Sequence, residues 1–184
     1  EGGSSIWDGI RERAPEAVLS EDGSAAQSSA FDVAVVVVGE RPYAEGMGDV
    51  RESQHVARGS IRAAAVPGPG KLAPYGKTLE HAVSHPEDLA VIRRVAEHGI
   101  PIVAVLVSGR PLVVNAELEQ VEAFVAAWLP GSEGKGVADV LFGEYDFTGR
   151  LSFSWPRSDE RDPNRGDAGA DPVFPLGFGL RYRE

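Results

Sequence analysis

Apolar and polar positions alternate along this chain in blocks that change period several times. SSIWDGIRERAPE opens on serines suited to capping and sets Ile6, Ile10 and Ala14 four residues apart, which predicts a short helix ending near Pro15. Ala17 to Leu19 is expected to form a brief strand before the EDGS turn. Residues 32–38, DVAVVVV, are an almost unbroken β-branched run, the pattern of a strand covered on both faces. HPEDLAVIRRVAEHG predicts a helix: Pro86 suits its first position, Glu87 and Asp88 its first turn, and Gly99 its end. Leu89, Ile92 and Val95 or Ala96 would share its buried face.

PIVAVLVS then reads as a second buried strand and AFVAAWL, residues 123–129, as a third. PGSEGKGVADVLFG is a glycine-rich entry to a helix over about residues 134–142, with Glu133 in its first turn and Gly143 at its stop. GRLSFSWP alternates and is expected to be a final strand closed by Pro156. Residues 157–171 are polar and loop-like, and VFPLGFGLRY then packs apolar groups near the end. Residues 40–78 carry no clear period, and VARGSIRAAAV within them fits a strand or a helix equally. A connection this long is uncommon inside a compact domain and is often functional.

Strands alternating with helices give the α/β class, with a mostly parallel sheet between helix layers. Ligands of such sheets bind beyond the carboxyl ends of the strands. GERPYAE and SGRPL both stand at that position.

Composition narrows the partners. A length of 184 residues suits one domain, and a chain of that size buries roughly 70% of its unfolded surface without staples. The net charge of −10 sets a repulsive field against phosphate-coated partners, so neither nucleic acid nor an anionic membrane is expected. No cysteine is present, which removes disulfides, thiolate nucleophiles and cysteine-based zinc sites. The longest apolar run is too short to span a bilayer, and the opening EGGSSIWDGI has no signal-peptide pattern.

The candidate chemistry lies in the loops. Glu40, Glu45 and Asp49 follow the first long strand, with Pro42 and Tyr43 able to position Glu45. A general acid needs a partly dry carboxyl group, so that its pKa rises toward the working pH. Arg110 in SGRPL is either a fork that ties loops together or a group that fixes the Glu45 loop or meets substrate. PGSEGKG lacks the phosphate-loop spacing, since Gly136 follows Lys135. His81 and His85 have the i, i+4 spacing of metal ligands but no third ligand, so no metal is expected; His55 and His98 stand apart. There is no GxSxG elbow. Trp7, Trp128 and Trp155 could stack on sugar rings, although core is the commoner place for tryptophan.

Four stretches taken in order resemble the C-terminal α/β-sandwich domain of glycoside hydrolase family 3. They are VVVVGERPYAEGMGD, PIVAVLVSGRPLVV, AFVAAWLPGSEGKGVADVLFGEYDFTGRLSFSWPR and VFPLGFGLRY, and the likeness runs from about residue 4 to 182. The subgroup most resembled is the bacterial β-glucosidase and exo-β-glucanase group. The resemblance implies a three-layer α/β/α sandwich that lacks its first strand, so that residues 1–184 are a partial domain. It also implies a preceding (β/α)8 barrel, absent from this chain, that supplies an aspartate nucleophile. Laid on the family's GExPYxE motif, the acid/base is Glu45, and Glu40 has a structural role. The implied partners are the barrel of the same parent polypeptide and a β-glucoside or β-glucan oligosaccharide. No cofactor is required, the parent is periplasmic or secreted, and the chain alone is expected to be inactive. The alternative is a carbohydrate-binding or scaffold module that kept the fold and lost catalysis.

Overall fold

The computed structural model describes residues 2–27, 30–41, 78–159 and 171–182. Among them the elements run α1 (Ile6–Arg13), β1 (Ala34–Gly39), α2 (His81–Ser84), α3 (Pro86–Ala96), β2 (Ile102–Val107), α4 (Asn115–Leu118), β3 (Ala123–Trp128) and α5 (Gly134–Leu141). The three apolar runs expected as buried strands are β1, β2 and β3. They form one parallel sheet in the order β1-β2-β3. The result is an open α/β sandwich.

Register decides which residues share a face. Val36 lies beside Ala104 and Val38 beside Leu106, while Ala104 and Leu106 lie beside Phe124 and Ala126. These side chains line one side of the sheet. Helix α3 brings Ile92 and Val95 into the same core, together with Ile102, Val114 and Trp155. Removing an Ile or Leu side chain of this kind from water is worth about 1.5–3 kcal/mol. The other side is buried at Val105 and Val125 but open at Val33 and Val37.

The helix ends follow their sequence signals. Ser5 caps α1: its Oγ accepts from the Asp8 amide, and the Asp8 carboxylate accepts from the Ser5 amide at 2.9 Å. Pro86 starts α3, Glu87 and Asp88 occupy its first turn, and Gly99 follows with φ +69°. Helix α1 packs on α5 through small residues. A Cβ on Gly9 would strike Ala138, and one on Gly134 would lie inside the backbone of Ser5. Gly134 of PGSEGKG thus serves close helix contact, whereas a Cβ on Gly131 or Gly136 would meet nothing within 4 Å. Glu133 is the residue before α5 rather than part of its first turn, and its side chain makes no cap. Ser4 serves that end: its carbonyl accepts from the Gly134 amide at 2.9 Å and its hydroxyl from the Lys135 amide at 3.1 Å.

Two expected strands are not formed. Residues 17–19 have no strand partner among the described residues, and Val18 and Leu19 are exposed. Among the described residues the backbone of GRLSFSWP pairs with VFPLGFGLRY at two points. Trp155 forms an isolated antiparallel bridge with Phe174, and Leu151 accepts from Gly177 and donates to Phe178. With no continuous ladder between those points, alternation alone does not make a strand. VFPLGFGLRY does return to the body of the fold, where the Tyr182 hydroxyl meets the carbonyls of Val140 and Leu141 at the end of α5.

Candidate active site

The parallel sheet gathers its strand exits at one edge. β1 leaves at Gly39 and β2 at Val107. Gly39 is required there because a Cβ would collide with the carbonyl oxygen of Val107. The pairing continues one residue further, with the Glu40 amide donating to that carbonyl at 3.1 Å.

Three consecutive residues of the β1 exit are then tied down by side chains. The Gly39 amide donates to Asp88 Oδ2 at 3.1 Å. Glu40 Oε1 accepts from Arg110 Nε at 2.9 Å, and Arg110 Nη2 lies 2.8 Å from the same oxygen. Arg41 Nη2 reaches Glu87 Oε1 at 3.2 Å, across an exposed gap. The Glu40 and Arg110 side chains are only 4% and 14% exposed, so this pair is largely dry. Ser108 supports it by donating from Oγ to the Arg110 carbonyl at 2.8 Å. Arg110 therefore acts as a fork joining the exits of β1 and β2.

Behind this edge lies a buried ionic cluster. His81 and Glu117 are fully buried. His81 Nδ1 is 2.9 Å from Glu117 Oε1, and Nε2 is 3.3 Å from Asp88 Oδ2. The second contact is ionic rather than a well-aligned hydrogen bond. Both ring nitrogens thus face carboxylate oxygens. A neutral imidazole would turn a bare lone pair toward one of them, so the geometry calls for the doubly protonated ring. Burial works against that charge. The close contacts and negative fields of Asp88 and Glu117 outweigh it, and the His81 pKa rises from 6.5 to about 9. Backbone pairing fixes the frame, with the His81 amide on the Val113 carbonyl and the Val113 amide on the Leu79 carbonyl.

The i, i+4 spacing of His81 and His85 does bring their rings together, 5.2 Å apart. They serve structure, since both nitrogens of His81 are engaged by carboxylates. Among the described residues no group of three or more histidines, cysteines or carboxylates is arranged to hold a metal. Sequence reasoning misses Glu117, because its partner His81 lies 36 positions away. The one available signal is a glutamate inside the apolar stretch LVVNAEL.

Trp155 is 2% exposed and donates from Nε1 to the Leu112 carbonyl at 2.7 Å, so it is core and not a sugar platform. Trp128 packs against it with ring centres 5.8 Å apart. Trp128 also has φ +55°, a left-handed backbone rare for a bulky residue, where β3 shifts register against β2. Trp7 is half-buried on α1. An apolar groove lined by Phe124, Trp128, Phe147 and Phe178 runs beside β3 rather than at the Glu40–Arg110 edge. Glu45, Pro42, Tyr43, Asp49 and His55 lie outside the described residues. No described helix is long and apolar enough to cross a membrane.

The model of a family described as the glycosyl hydrolase family 3 C-terminal domain matches residues 2–182. The chain is similar to a periplasmic beta-glucosidase of Salmonella typhimurium, 30% identical over 94% of this chain and 22% of that protein. A lysosomal beta glucosidase of Dictyostelium discoideum is 29% identical over 89% of this chain and 17% of its own length. Among solved structures, the exo-1,3/1,4-beta-glucanase of a Pseudoalteromonas species superposes with a TM-score of 0.76 at 40% identity, covering 99% of this chain and 21% of that one. The chain thus spans about a fifth of the length of these relatives.

Proposed function

Because this chain belongs to the glycosyl hydrolase family 3 C-terminal domain family, we propose that it supplies the acid/base half of a retaining β-glucosidase or exo-β-glucanase. The substrates would be terminal, non-reducing β-D-glucosyl residues of β-glucosides or β-glucan oligosaccharides. Glu45 is the acid/base, and a (β/α)8 barrel of the same parent polypeptide carries the aspartate nucleophile. The family match over nearly the whole chain carries this reading. The exit of β1 supports it, because Gly39, Glu40 and Arg41 are each anchored just ahead of the segment that leads to Glu45. The Salmonella relative's name supports a periplasmic or secreted parent.

The reaction proceeds in two steps. The barrel carboxylate attacks the anomeric carbon while protonated Glu45 donates to the leaving oxygen, and a glycosyl-enzyme forms. Glu45, now a carboxylate, takes a proton from a water whose oxygen bonds to the anomeric carbon as the bond to the barrel carboxylate breaks, and the sugar leaves with its configuration retained. Retaining carboxyl pairs stand about 5–5.5 Å apart, so barrel and sandwich must dock closely. No metal or organic cofactor takes part.

The test is Glu45→Gln in the parent hydrolase. Activity should fall by about 10²–10⁴-fold on glucosides with poor leaving groups and much less on activated aryl glucosides. Glu45→Ala should regain turnover of activated substrates with azide, giving a glucosyl azide. Equal losses on both substrate classes would refute the acid role.

A further inference from the structure

We infer that Asp88, His81 and Glu117 form a charge clamp on the exit of β1, which makes His81 a positioning residue for the segment that follows Gly39. The inference rests on the proposed function only where it concerns catalysis. The clamp itself is a chain of contacts across four parts of the fold. Glu117 of α4 holds His81 at the start of α2, His81 faces Asp88 of α3, and Asp88 Oδ2 accepts from the Gly39 amide at the end of β1.

One atom, Asp88 Oδ2, has two tasks. It balances the imidazolium at 3.3 Å and receives the strand's last amide at 3.1 Å. Its orientation therefore depends on the ring proton that faces it. Loss of that proton would set a lone pair against the carboxylate and push Asp88 away. Its side chain is 24% exposed and so has room to move, whereas Glu117, at 1%, has none. The strain of deprotonation would thus pass to the Gly39 side of the clamp. Among the described residues His85 also faces His81, with its ring 5.2 Å away, and Glu87 lies 3.9 Å from the His85 Nδ1. Gly39 is followed by Glu40, which Arg110 holds independently, so the clamp sets the backbone while the fork sets the next side chain. Glu45 is the fifth residue after Glu40.

The experiment follows nitrogens of two residues in the full 184-residue chain: the ring nitrogens of His81 and the backbone nitrogen of Gly39, read by carbon-detected spectra that tolerate alkaline pH. Between about pH 6 and pH 11 both should shift with one common midpoint, in the range where a stabilised imidazolium titrates. A Gly39 signal that stays flat while His81 titrates overturns the clamp, as does a His81 ring with a single proton throughout. Asp88→Asn keeps the shape and removes the charge. It should lower the proton affinity of His81 by tenfold or more and uncouple Gly39 from it, and an unchanged midpoint overturns the proposal. In the parent hydrolase the same variant should lower kcat by more than it raises KM. If that hydrolase shows no glycosidase activity at all, the proposed function fails while the titration still judges the clamp.

Discussion

Arg110 grips Glu40 from the neighbouring strand exit, with Nε at 2.9 Å and Nη2 at 2.8 Å from one carboxylate oxygen. Neither side chain has much access to water. Removing Arg110 leaves the Glu40 carboxylate buried and unbalanced, at a cost of about 3–5 kcal/mol.

Arg110→Ala should therefore destabilise the chain by roughly 3 kcal/mol, measured by urea unfolding. Arg110→Lys should recover only part of that loss, because an ammonium cannot reproduce the planar fork. A Glu40→Gln, Arg110→Met double variant should lie closer to the native protein than either single change. Additive losses would show that the pair does not act as a unit.

Stability should fall as pH rises through the titration of His81. Its pKa is about 9 in the folded chain and 6.5 in the ordinary ring, so the folded state binds more protons between those values. The contribution is complete below about pH 6.5, declines from there to about pH 9 and is absent above it, with an upper bound of about 3 kcal/mol. Thermal melts across that window should show the decline in the native chain. His81→Gln should remove it.

The glycines of PGSEGKG should separate by role. Gly134→Ala drives a methyl group into the Ser5 backbone and should cost at least about 2 kcal/mol. Gly136 has nothing within 4 Å of a new Cβ and lies inside α5. Gly136→Ala should stabilise by about 0.5–1 kcal/mol. Gly131 has φ +58° in open space, so Gly131→Ala should cost about 1 kcal/mol through the backbone alone. Chemical denaturation of the three variants checks the ordering.

The 184-residue chain on its own should turn over an aryl β-glucoside at no more than about 10⁻³ of the rate of a two-domain relative, since its partner carboxylate is proposed to lie elsewhere. A discontinuous assay on the purified chain decides this. A rate comparable with an intact enzyme would require a nucleophile within this chain.

The elements that can be read from sequence are those whose signals are local. Pro86, Glu87 and Asp88 mark the start of α3, Gly99 its end, and the β-branched runs mark β1 and β2. The failures depend on distant partners. Leu151 to Trp155 alternates like a strand, but pairing is set by Phe174 and Phe178, which supply two contacts and no ladder. Val18 and Leu19 carry strand propensity with no strand beside them among the described residues. Helices α2 and α4, of four residues each, are too short to show a period. Spacing draws attention to His81 and His85, but not to what His81 binds, because Glu117 approaches it only through the fold. Arg110 is recognisable as a fork, while its partner Glu40 is fixed only when the parallel register sets Gly39 beside Val107.

The contact of α1 with α5 has a consequence for how the chain is made. Helix α1 has eight residues, too few to hold its shape alone in water. The groups that receive it, Gly134, Lys135 and Ala138, come about 130 residues later. At ribosomal speeds of about 5–20 residues per second, the nascent chain would expose α1 for roughly 7–26 s before α5 is synthesised. During that interval its apolar face, Ile6 and Ile10 included, is open to chaperones. The first helix of this chain thus settles only once α5 has been made, and its folding is timed by the synthesis of that later helix.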